Sequence, residues 1–167
     1  MGDFVTWPHP ALSMLAQHRP IDAEMLAAGA RLLEAADRVK AFGLAAAHIG
    51  LVEPVVVVSV AGDLEKRDYR VMYLPRIEAV APETAAGAEG SVSMPGIEVP
   101  VVRPIWAEIV YQSAEGASQT VRLGGFAARV ALHEIEQMAG VFFLQRVSRI
   151  KRETALRKFQ KSQRVAG

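Results

Sequence analysis

The apolar pattern changes period twice along this chain, and that limits the fold more than any single motif does. Over residues 22–41, Met25, Leu32, Ala36 and Val39 recur at helical spacing, with Asp22 suited to cap the start and Gly43 placed where a helix would stop. The middle turns to short strand-like runs. Residues 54–60 read as a buried strand and 69–74 as a second with a charged flank. Residues 105–112 and 119–123 read as a hairpin about Ala114, Glu115 and Gly116. Helical period returns over 125–139 and again over 148–163, where Ile150, Thr154, Leu156 and Phe159 would form the apolar side. A helix, several strands and two further helices predict an α+β fold. The Ala/Gly/Pro-rich stretch 79–88 is a linker candidate, but with no internal repeat one domain over 1–167 is expected.

Bulk properties agree with a globular domain. The chain has 167 residues, 51% of them apolar and 22% charged, enough to bury a core. Purely apolar runs such as 55–58 are far too short to cross a bilayer, so no membrane partner is expected. The opening MGDFVTWPHP lacks the basic start and apolar stretch of a secretory signal, which favours the cytoplasm. Gly2 and Thr6 match the short pattern for N-terminal acylation. The absence of cysteine excludes disulfides, thiolate ligands and a cysteine nucleophile. Net charge is +1, yet residues 145–167 carry eight Lys or Arg and one acid, while the body holds eleven basic and seventeen acidic residues. Such a split gives the tail its own task or partner.

The stretch Leu132-His133-Glu134-Ile135-Glu136-Gln137 carries the chemistry. Residues four apart on a helix share a face, so His-Glu-x-x-His aims two imidazoles at one metal, with the glutamate placed as general base. Here Gln137 stands at the second position, and alone the pattern is common in helices that bind no metal. Its neighbours add to it. Gly43 to Gly50 reads GLAAAHIG, Glu89-Gly90-Ser91-Val92-Ser93 follows, and Gly140-Val141-Phe142-Phe143 closes the set.

In that order and spacing the chain resembles the peptide deformylase family, whose signatures read GxGLAAxQ, EGCLS and HExDH. The resemblance extends to Trp7-Pro8-His9-Pro10-Ala11-Leu12, to Met94-Pro95-Gly96 and to Val101-Val102-Arg103-Pro104, and covers about residues 4–150. It implies a fold of antiparallel strands packed around a central helix bearing His133 and Gln137, with a C-terminal helix. It also implies an ancestral reaction, removal of the formyl group from the N-terminal Met of nascent chains by water on bound iron or zinc.

Carried over by position, the metal ligands become Ser91, His133 and Gln137. Glu134 becomes the acid–base residue, and His48 and the Val92 backbone amide become the oxyanion donors. Gly43, Leu44, Glu89, Gly90 and Arg103 fall at the substrate pocket. Ser91 offers a hydroxyl that stays protonated near neutral pH, and Gln137 a neutral carbonyl oxygen, so one good metal ligand survives. Without a tightly held cation nothing lowers the pKa of water from about 15.7 to about 7. A lone glutamate returns only about 10²–10⁴-fold. Canonical deformylation is therefore expected to be absent or very weak, and no cofactor is expected unless iron or zinc enters a rebuilt site. His48 leaves two alternatives open. Turned inward, it joins His133 and Glu134 or Glu89 as a new ligand set; otherwise it donates one hydrogen bond across the pocket. Glu136 is expected to pair with Arg103 as a structural prop.

The resemblance extends to the tail. Arg149, Lys151, Arg152, Arg157 and Lys158 are candidates for contact with ribosomal RNA through phosphate charge, against an amphipathic helix packed on the domain. Three functional readings follow: a deformylase-like protein without canonical catalysis that still holds formyl-Met peptide ends, a hydrolase with a rebuilt metal site, and a peptide- or ribosome-binding module. None of these patterns fixes the oligomeric state.

Overall fold

The computed structural model describes residues 4–166, so the acylation pattern at Gly2 lies outside the described residues. Helix α1 (Ala23–Val39) is capped as expected: Asp22 Oδ1 accepts from the Met25 N–H at 2.9 Å. It ends earlier than its pattern suggests, at Lys40 with φ 55°. Gly43 does not stop this helix but opens strand β1 (Gly43–Ala45). A Cβ at Gly43 would lie 2.5 Å from Val130 Cγ1 and 3.1 Å from Glu134 Cγ and Val57 O, so the glycine is there for close approach.

A five-stranded antiparallel sheet runs in the order β1, β2 (Val55–Ser59), β3 (Tyr69–Val80), β6 (Trp106–Gln112) and β7 (Ser118–Gly124). Helix α2 (Gly125–Met138) covers one face and α1 the other. The four valines of β2 follow from this sandwich. Val56 and Val58 pack with Ala131, Leu132 and Ile135 of α2, whereas Val55 meets Met25 and Ala28, and Val57 meets Leu32 and Ala36 of α1. A strand covered on both faces has no polar side to show. Strand β3 outruns its expected end at Leu74, because a register shift between Tyr73 and Arg76 absorbs Leu74 at φ 52° and Pro75.

The linker expected over 79–88 shrinks to a three-residue turn at 81–83 between the end of β3 and the start of β4 (Thr84–Ser91). Strand β4 pairs along its length with β5 (Met94–Pro104) in a separate two-stranded sheet. Neither strand advertises itself: β4 is mostly Ala and Gly, and β5 contains Pro95, Pro100 and Pro104. Prolines are tolerated because β5 pairs on one side only.

Helix α3 (Arg149–Ala166) lies on β5, burying Ala155 and Phe159 among Met94, Ile97, Val99, Val101 and Phe143. Phe159 also meets the edge of Trp7, with ring centroids 6.4 Å apart. The apolar side is therefore rotated from the expected one: Leu156 is partly buried, while Ile150 is 77% exposed and Thr154 faces solvent. Among the described residues no helix is long and apolar enough to cross a membrane.

Candidate active site

Val130, His133, Glu134 and Gln137 share one face of α2 by their i, i+3, i+4 and i+7 spacing. That face looks toward β1 and toward the tight turn at Val92 and Ser93 that joins β4 to β5. Between them lies a cavity of about 730 Å³, lined by residues including Gly43, Leu44, His48, Glu89, Gly90, Ser91, Val92, His133 and Glu134. The sequence-derived pocket is thus largely assembled in space. Arg103 and Gln137 are not among its lining residues: each is buried behind the wall.

Arg103 holds that wall in place. Its Nε and Nη2 donate to the two oxygens of Glu89 at 2.6 and 2.9 Å, and its Nη1 donates to Glu136 Oε1 at 2.7 Å. The prop between Glu136 and Arg103 exists, and Arg146 reinforces it from the surface. Glu89 also accepts from Arg129 Nη1 at 2.8 Å and lies 2.8 Å from His133 Nδ1. Burial pushes the Glu89 carboxyl up, but hydrogen bonds from His133 and Arg103 outweigh it and hold the group at about 2. An anion fixed on Nδ1 sets the His133 ring and leaves Nε2 for the cavity.

His48 is also buried, and its Nδ1 accepts from the Ala45 N–H at 3.0 Å. That bond assigns the neutral tautomer: the proton sits on Nε2, which lies 3.4 Å from Ser91 Oγ. Burial, then the charge of His133, lowers the His48 pKa to about 3, so the ring stays neutral. His48 therefore presents an N–H to the cavity rather than a lone pair. Glu134 lies 3.6 Å from His48 Nδ1, and its Oε1 has no hydrogen-bond partner. Burial raises its carboxyl to about 7, opposed by His133. Burial also works against a charged His133, but Glu134 and Glu89 overcome it and raise that imidazole.

These donors do not fit a catalytic iron or zinc at the family's positions. Ser91 Oγ already accepts from the Ser93 N–H at 3.1 Å, and a neutral hydroxyl is a weak ligand. The Gln137 amide nitrogen is fixed on the Leu12 carbonyl at 2.7 Å, leaving Oε1 buried and unpartnered. The other grouping is His48, His133 and Glu134, with one ligand atom from each lying within 4.8 Å of the others. It loses its third donor while the His48 Nδ1 lone pair is engaged by Ala45. What remains is a hydrogen-bond donor (His48 Nε2), an acceptor (Glu134) and one imidazole nitrogen around an enclosed polar floor.

Several lining residues escaped the sequence reading. Phe42 and Phe126 meet edge to face at 4.8 Å in the cavity wall, with Arg67 stacked 3.9 Å over Phe42. Arg129 lines the wall while bonding Ala85 O, Val101 O and Glu89, and its signal was available, since it stands four residues before His133. Lys158, a candidate for ribosome contact by its place in the basic tail, also lines the cavity. Of the other tail candidates, Arg149 pairs with Glu153 and Arg152 turns back onto Leu144 O and Val147 O. Lys151 and Arg157 are exposed.

The sandwiched sheet, the β4–β5 hairpin and the His-Glu helix between them define a deformylase-type α+β scaffold. A family model for polypeptide deformylase matches residues 1–153, and the chain belongs to that family. A peptide deformylase-like protein of Agrobacterium fabrum (strain C58) is 35% identical over 157 residues, 93% of each chain. A peptide deformylase of the same organism is 33% identical over 145 residues, 87% of this chain and 85% of the other. The crystal structure of peptide deformylase from Ehrlichia chaffeensis superposes with a TM-score of 0.89 at 25% identity, over 98% of this chain and 97% of that one.

Proposed function

We propose that this protein holds formyl-Met or similarly acylated peptide ends in the deformylase pocket without canonical metal-dependent deformylation. The donor set carries this reading: Gln137 is turned onto Leu12 O and His48 presents an N–H. An acylated amino end needs a donor for its carbonyl oxygen and an acceptor for its amide N–H. His48 Nε2 and Glu134 offer that pair, and the apolar wall of Leu44, Phe126 and Val130 suits a methionine side chain. Without a cation, Glu134 alone supports at most weak general-base hydrolysis.

The test is elemental analysis of the purified protein with a formyl-Met peptide assay on the same sample. We expect sub-stoichiometric iron, zinc and nickel, negligible turnover, and measurable peptide binding. Ser91→Cys with Gln137→His is expected to recover metal and part of the activity. The proximity of His48, His133 and Glu134 favours a second reading, a rebuilt metal site. Near-stoichiometric metal with turnover abolished by Glu134→Gln would establish it in place of the first. The outward Lys151 and Arg157 support a further role for α3, docking on ribosomal RNA.

A further inference from the structure

Helix α3 does more than cover β5. Phe159 is buried to 2% exposure and Ala155 to 6%, which fixes the rotation of the helix. Lys158, the residue before Phe159, is thereby brought to the cavity wall. Glu98 of β5 lines the same cavity, its stem near Gly90, where a Cβ would come 3.7 Å from Glu98 Cγ. Among the described residues the side chains of Lys158 and Glu98 make no hydrogen bond and no ion pair. The other charges of the wall are engaged: Glu89 by Arg103, Arg129 and His133, and Arg129 by Glu89 and three carbonyls. Glu134 belongs to the floor.

We propose that Lys158 is a specificity-determining residue that receives a carboxylate on the ligand, and that Glu98 opposes it. The inference rests on the reading of the cavity as a peptide-end pocket. A cavity of about 730 Å³ is larger than a formyl-methionyl group requires, so the occupant extends along β5 toward α3. Lys158 and Glu98 are both exposed, so the unpaired ammonium attracts an anion as a surface charge does, weakly and with screening by salt. Two sources supply the group: the C-terminal carboxylate of a short peptide, or an acidic side chain two residues beyond the methionine.

The experiment is calorimetric titration of wild type, Lys158→Met and Glu98→Gln with three ligands: formyl-Met-Ala-Ser, its C-terminal amide, and formyl-Met-Ala-Glu amide. Wild type is expected to bind the carboxylate-bearing peptides about two- to fivefold more tightly than the neutral amide. Lys158→Met abolishes the preference, Glu98→Gln widens it, and salt shrinks it. Whichever acidic peptide binds more tightly identifies the source. Equal affinities for all three in wild type, or a preference that survives in Lys158→Met, overturn the proposal. If no peptide binds, the peptide-end reading fails and a second measurement decides Lys158. Millimolar N-acetylglutamate would then shift the NMR amide signals of residues 96–98 more than N-acetylglutamine does in wild type, and not in Lys158→Met. Equal shifts, or none, refute it.

Discussion

At the scale of single residues, Glu89 connects the most parts of the site. It binds two arginines and sets the His133 ring, with a side chain only 4% exposed. Its carboxyl is held at about 2 in the folded protein, below the 4.5 of an unperturbed glutamate. A depressed acid stabilises the fold fully above its unfolded pKa and loses that contribution as pH falls toward its folded one. The loss here spans about pH 4.5 to 2, and a shift of this size corresponds to roughly 3 kcal/mol. Equilibrium denaturation at a series of pH values should show this acid-side decline, and Glu89→Gln should flatten it while lowering stability at neutral pH. An equally steep decline in the variant would place the acid sensitivity elsewhere. Gly43 carries a steric prediction of its own. Gly43→Ala forces Val130, Glu134 or β1 to move, at about 1–3 kcal/mol by overpacking, and calorimetric melting would report it.

Elements were legible in the sequence to the extent that one physical signal sufficed. Asp22 and the period of α1, the valine run of β2 and the hairpin of β6 and β7 all came through, because local pattern and tertiary burial agree there. Strands β4 and β5 did not, since Ala, Gly and Pro carry no strand preference and the pairing partner supplies the structure. The resemblance brought His48, Glu89, Ser91, His133 and Glu134 to one place, and they do line one cavity, whereas Arg103 and Gln137 do not. The tautomer of His48, the turn of Gln137 toward Leu12, and Lys158 at the cavity depend on contacts distant in sequence. In α3 the expected Ile150 face lost to the Ala155 and Phe159 pair. Phe159→Ala should cost about 3–5 kcal/mol and free α3 from β5, visible as faster amide exchange across the helix. If α3 docks on ribosomes by charge, Lys151→Glu with Arg157→Glu should weaken cosedimentation and lower its salt dependence. Unchanged binding would assign the helix to the domain alone.

For the whole molecule, ligand linkage separates a scaffold that has lost its metal from one that has rebuilt it. A metal held by the folded state and not the unfolded one stabilises by about 2.7 kcal/mol at a hundredfold excess over its Kd. For a domain of this length, each kcal/mol moves Tm by about 2–4 °C, so tight binding should appear as a rise of about 5–10 °C. Wild type should melt at the same temperature with and without zinc or nickel, because Ser91, Gln137 and His48 offer no lone pair of the needed strength. Ser91→Cys with Gln137→His should acquire the full rise, and adding His133→Ala should remove it. The Leu12 carbonyl loses its amide donor in this variant, so the metal-free double mutant should start below wild type. A rise in wild type that vanishes with His48→Gln would instead mean that Ala45 releases the imidazole. The cavity would then be a metal centre built from His48, His133 and Glu134.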